Sequence, residues 1–146
     1  MTRIILPVVV ASLSLATWAA AHSGVKNPEV LKRMEAMKAT QDNTKVLGAM
    51  AKGERAFDAA TARAAASEIA RLAAETPALF KAEETDATSE ALPAIWDRFD
   101  DFTEKSRALE KAARAMSAGL ETKADLREGL GHIGAACKAC HESYRK

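Results

Sequence analysis

Cysteine is nearly absent. The 146 residues hold two, and they stand three apart. A secreted domain stapled by disulfides carries more of them, spread along the chain, so these two read as chemistry and not as staples. Aromatic residues make up 5% of the chain, and there are 7 glycines and 4 prolines. No segment shows the alternation of β-branched and polar residues that marks a strand, which removes a sheet from the expectation. No apolar run reaches the about 20 residues that span a bilayer, and the one apolar stretch, Ile4 to Leu15, is interrupted by Pro7. An N-terminal membrane anchor is therefore not expected.

That first stretch is instead a secretory signal peptide. Arg3 supplies the positive start, the apolar region follows, and Ala19-Ala20-Ala21 supplies the small residues a signal peptidase needs. Residues 1–21 are read as the leader and residues 22–146 as the mature domain. The whole chain has 21 basic and 20 acidic residues, and losing Arg3 with the leader leaves the mature chain formally neutral. Neutrality argues against nucleic acid as a partner, because phosphate binding needs a clear basic excess.

What is abundant is alanine and helical periodicity. Helix A is expected from Asn27-Pro28-Glu29, a cap, a first-turn proline and a dipole-matched acid, to Lys52, where Gly53 stops it. Its inner stripe reads Val30, Met34, Met37, Gln41, Thr44 and Ala51, with Leu47 beside it. Helix B, capped by Asp58, runs through Ala62, Ala65, Ile69 and Leu72 to about Thr76, where Pro77 marks its weakening, with continuation of the helix through Phe80 left open. Lys81 to Ala91 reads as the longest loop. Helix C is expected as one helix from Leu92-Pro93, with a seam of Ile95, Phe99, Phe102, Ser106, Leu109, Ala113 and Met116. Helix D starts at Thr122 with Asp125 three residues on, and presents Leu126, Leu130, Ile133, Cys137, Cys140 and Tyr144. Four such helices joined mostly by short links predict an all-α, antiparallel up-down-up-down four-helix bundle.

On the last helix lies Cys137-Lys138-Ala139-Cys140-His141. Residues three and four apart share a helix face, so both thiols can reach the two vinyl groups on one edge of a porphyrin while the imidazole turns under the ring to the iron. A thioredoxin-like pair would open a helix after a strand. Zinc would need a fourth strong ligand, and His132 lies about 180° around the helix from His141. A disulfide would be strained and would leave His141 unexplained. The spacing therefore predicts covalent haem c on Cys137 and Cys140 with His141 as proximal iron ligand. The alanine-rich core is thinly supplied with large side chains, so folding and haem attachment should be coupled.

The up-down order puts the end of helix D beside the start of helix A. Met50 and Met116 then fall at the far end, which leaves Met34 and Met37 as thioether candidates for the other side of the iron. Phe80, Trp96 and Phe99 fall at the haem end, where large rings would wall a porphyrin.

These residues resemble the class II c-type cytochromes, the cytochrome c-prime family. The resemblance rests on the Cys137 to Arg145 ending, on Val46-Leu47-Gly48-Ala49-Met50-Ala51-Lys52-Gly53-Glu54, on Arg33 with a residue four later, and on Ile95-Trp96. It covers essentially residues 27–146. The resemblance implies that the distal position, aliphatic or aromatic in the five-coordinate members, is Met37 here, as in the low-spin Met/His branch; Met34 could substitute. It also implies that Arg145 lies by the proximal side of the haem, the alternative being a solvated C-terminal arginine. Arg33 could approach a propionate or stay on the surface.

The expected function is electron transport: a bacterial periplasmic carrier that exchanges single electrons with periplasmic redox proteins. No paired carboxylates and no nucleophile with a base are evident, so no enzyme activity is expected. The alternative is a five-coordinate relative that binds nitric oxide or carbon monoxide. A structural protein with an incidental haem has nothing in the sequence to favour it. A homodimer through helices A and B is permitted by the alanine-rich face of helix B.

Overall fold

The computed structural model describes residues 24–146; the leader read over residues 1–21 lies outside the described residues. The elements are α1 (Pro28–Lys52), α2 (Ala59–Leu79), α3 (Ala94–Asp97), α4 (Phe99–Gly119) and α5 (Lys123–Tyr144). The four long helices form the expected bundle, and the described residues contain no strand, only an isolated antiparallel bridge between Ala91 and Arg145.

Three of the four long helices start where a side chain can take the first amides, whereas α4, which follows Arg98, has no such cap. Asn27 accepts from the amides of Glu29 and Val30, Asp58 accepts from Thr61, and Thr122 forms a complete capping box with Asp125. Gly53 ends α1 at φ 83°, a left-handed turn that a side chain would strain.

One expectation needs correction. Helix C is not continuous: the backbone leaves the helical region at Arg98 (φ −133°, ψ 49°) and divides it into α3 and α4. The apolar seam is satisfied on either side of that break, so periodicity could not reveal it. Past Pro77, α2 continues to Leu79, within the extent through Phe80 that the sequence left open. A proline inside a helix has no N–H for the carbonyl four residues back, here that of Ala73. The buried Ser106 hydroxyl of α4 donates to that carbonyl at 2.7 Å. The polar gap in the helix C seam is thus the partner of an acceptor that Pro77 cannot serve.

Helix α2 packs on α1 and on α4, and α5 packs on α4, whereas α1 and α5 meet far less. Two apolar clusters result. One, in the body of the bundle, contains Leu47, Met50, Ile69, Met116, Leu126 and Ile133; the other, at the end where α2 and α5 finish, contains Phe80, Ile95, Phe102 and Tyr144. Close approach of α4 and α5 depends on Gly129, where an added Cβ would stand 2.7 Å from Met116 Cγ and 3.0 Å from Met116 Cβ. Overpacking costs about 1–3 kcal/mol against about 1 kcal/mol gained by replacing glycine inside a helix. Gly129→Ala is therefore expected to lower the urea midpoint of the haem-loaded protein, by up to about 2 kcal/mol of stability; a higher midpoint would mean that Met116 swings aside freely.

Candidate haem site

The gap between α1 and α5 is a cavity of about 1000 Å³. That is the upper end of the range of about 300–1,000 Å³ for pockets that take small molecules and cofactors. Its α1 wall is Val30, Arg33, Met34, Met37, Gln41, Thr44 and Gly48; its α5 wall is Cys137, Cys140, His141 and Tyr144; Phe80, Ile95, Phe102 and Ser106 close the side between them. Of the stripe expected on the inner face of helix A, Val30, Met34, Met37, Gln41 and Thr44 line this cavity, while Ala51 packs with Leu47 and Met50 against the core.

Cys137 packs against the body cluster and Cys140 against the aromatic one, so the two thiols sit where the clusters meet. Burial raises both pKa values, which keeps the sulfurs as thiols and not as the low-pKa thiolates of a redox pair. His141, at the rim, is shifted the opposite way: desolvation first, then the nearby Arg145 charge, push its pKa below the ordinary imidazole value, with Glu90 opposing. A neutral imidazole offers the lone pair that a metal needs. His132 is exposed, 3.9 Å from Glu128 on the following-turn spacing, and does not line the cavity. Among the described residues no group of three or more His, Cys, Asp and Glu side chains could hold a metal ion by itself. Two thiols on one helix face, an imidazole beside them, thioethers opposite and an aromatic wall fit a haem.

Met34 and Met37 both line the cavity. Met34 is half-buried, and Met37, 36% exposed, is the large apolar side chain left uncovered among the described residues. Met50 and Met116 are buried in the body cluster, away from the site, as the topology argument expected.

The arginines are tied to the protein. Arg33 is buried, and its Nε, Nη1 and Nη2 donate to the carbonyls of Leu79 (2.9 Å), Glu84 (2.7 Å) and Ala82 (2.6 Å) while the guanidinium stacks on Phe80 at 4.7 Å. It lines the cavity but spends these donors on the end of α2 and the loop that follows. A surface role is excluded by its burial. Arg145 donates from Nε to Glu90 at 2.6 Å, and its backbone forms the bridge with Ala91. It lies beside His141, as the pKa of the imidazole registers.

Phe80 lines the cavity, whereas Trp96 and Phe99 stand behind that wall. The Trp96 indole N–H is turned to the carbonyls of Phe80 (2.8 Å) and Ala82 (3.2 Å), because a half-buried indole needs an acceptor. Residues that sequence reasoning passed over are Glu90, Lys105 and Asp101. The first two line the cavity, and Asp101 binds the Tyr144 hydroxyl. The signal available was Tyr144 itself, since a buried phenol requires a partner.

A family model described as Cytochrome C' matches residues 29–145. Cytochrome c-554 of Cereibacter sphaeroides is 45% identical over 105 residues, 68% of this chain and 69% of that protein. Cytochrome c-556 of Agrobacterium fabrum is 39% identical over 118 residues, 80% of each. Among solved structures, cytochrome c' from Rhodopseudomonas palustris superposes with a TM-score of 0.77 at 31% identity, covering 83% of this chain and 98% of the other. The chain belongs to the cytochrome c' family and carries a covalently attached haem c.

Proposed function

We propose that this protein is a periplasmic electron carrier in which Cys137 and Cys140 hold the haem, His141 ligates the iron on one side and Met37 on the other. The observation that carries the reading is the exposure of Met37, 36% on the cavity wall facing α5. A methionine that serves core packing is covered; this one is uncovered until the cavity is filled. When bound, haem supplies a one-electron iron couple, and a thioether ligand favours its reduced state and raises its potential.

The residues of the chain hold, orient and shield. Phe80, Ile95 and Phe102 keep water from one side of the cavity, Arg33 braces the loop that closes its end, and His141 stays neutral for ligation. The activity proposed is transfer of single electrons between redox partners. No helix among the described residues is long and apolar enough to cross a membrane. The periplasmic location rests on the leader read in residues 1–21 and on the bacterial relatives; the partners are redox proteins of that compartment, and a homodimer through α1 and α2 belongs to the same reading.

The test is the spectrum of the reduced protein with and without carbon monoxide. A low-spin spectrum that the gas barely changes is expected; ready conversion to a carbonyl form would sink Met37 ligation. A second reading is favoured by the same exposure, because a thioether not held by packing is free to stay off the iron. The protein would then be five-coordinate and bind nitric oxide or carbon monoxide, and one of its solved relatives is a cytochrome c' by name.

A further inference from the structure

Cys140 and His141 lie in the last turn of α5, which ends at Tyr144. The last turn of a helix lacks intrahelical partners for its final carbonyls and frays first; here the Tyr144 carbonyl accepts from the Leu92 amide at 3.0 Å, and side chains add ties that bear on how the ligand is held. Tyr144 is buried, with its ring edge-on to Phe102 at 5.4 Å and packed with Cys140. Packing alone would be served by phenylalanine, as it is at positions 80 and 102. The hydroxyl adds a bond: it donates to Asp101 Oδ2 of α4 at 2.5 Å. Burial, reinforced by that carboxylate, pushes the phenol up to about 12, so it remains a donor at any physiological pH. Lys105 Nζ stands 3.8 Å from the same carboxylate oxygen, and the Arg98 guanidinium lies 5.1 Å from the phenol ring centre. A charge-assisted hydrogen bond is about twice as strong as a neutral one, and this one joins α4 to α5 three residues after the ligand.

We propose that Tyr144 and Asp101 are a positioning pair that sets the orientation of His141 and, through it, the strength of the iron–imidazole bond. The inference rests on the reading of His141 as proximal ligand but not on what lies opposite it.

The test is the iron–imidazole stretching band in the Raman spectrum of the reduced, haem-loaded protein, measured in a Met37→Ala background so that the distal side is the same throughout. Tyr144→Phe keeps the ring and loses the hydrogen bond; it is expected to lower the frequency of the band and broaden it. Asp101→Ala should give the same shift, the double variant no further shift, and Asp101→Asn, which keeps an acceptor oxygen, should restore most of it. A role confined to stability would lower the melting temperature of Tyr144→Phe and leave the band in place, which overturns the proposal. Shifts that add in the double variant overturn the pairing. Absence of the band from a parent whose absorption spectrum is high-spin and five-coordinate overturns His141 as ligand, and this pair with it.

Discussion

Met37→Ala is expected to turn the reduced protein from a low-spin form indifferent to carbon monoxide into a high-spin form that binds it. The substitution removes a thioether and leaves a methyl group. The other groups on that wall are poor replacements: the hydroxyls of Thr40 and Thr44 donate back to the carbonyls of Ala36 and Thr40 at 3.0 and 2.8 Å. An internal ligand competes with an external one by closing the binding-competent state. If the open fraction of the wild type is about 1%, opening it fully raises the apparent carbon monoxide affinity about 100-fold. The reduction potential should fall in the same variant, since the ligand that favours ferrous iron is gone. Met34→Ala is the control, one turn earlier and half-buried. It should leave the spectrum low-spin; if it is Met34→Ala that opens the iron and Met37→Ala that does not, the ligand lies one turn nearer the start of α1.

The second large effect is expected from Cys137→Ser combined with Cys140→Ser. No thioether can form, so haem staining of the chain on a denaturing gel should vanish, whereas either single substitution leaves one bond. Loss of stability should follow, because the cavity of about 1000 Å³ is no longer securely filled and the apolar clusters on its two sides lose what they pack against. A ligand held at about 1,000 times its Kd adds about 4 kcal/mol. At about 3 °C per kcal/mol for a domain of this size, the melting temperature should drop by at least about 10 °C. An unchanged melting curve in a variant free of haem would show that the bundle stands without it.

How much of this was legible beforehand follows from what each residue depends on. Caps depend on neighbours one to three residues away, and Asn27, Asp58, Thr122 and Gly53 were read correctly from local spacing. The haem site is local as well: Cys137, Cys140 and His141 lie within five residues on one helix face, and the cavity forms around them. Other features depend on partners far along the chain. Ser106 reads as a flaw in an apolar seam until Pro77 is seen to leave the Ala73 carbonyl without an amide. Arg33 reads as a free cation beside a haem until its donors are found on carbonyls of Leu79, Ala82 and Glu84, more than forty residues away. The break at Arg98 is a matter of one residue's dihedral angles, which the spacing of Ile95, Phe99 and Phe102 tolerates either way. The pairing of Tyr144 with Asp101 spans two helices, and nothing in either stretch announces the other.

The loop between α2 and α3 ties the two outer helices of the cavity to one place. Asp86 of that loop accepts from the amides of Lys26 and Asn27 at 2.9 and 3.1 Å, while Glu90 accepts from the Lys146 amide at 2.9 Å and from Arg145. The residues that lead into α1 and those that follow α5 are thus fastened to the same short stretch, as two ends of a belt meet at one buckle. One loop thus holds both the start of α1 and the end of α5, the turn that carries Cys140 and His141, so a change in its path reaches both walls of the cavity together.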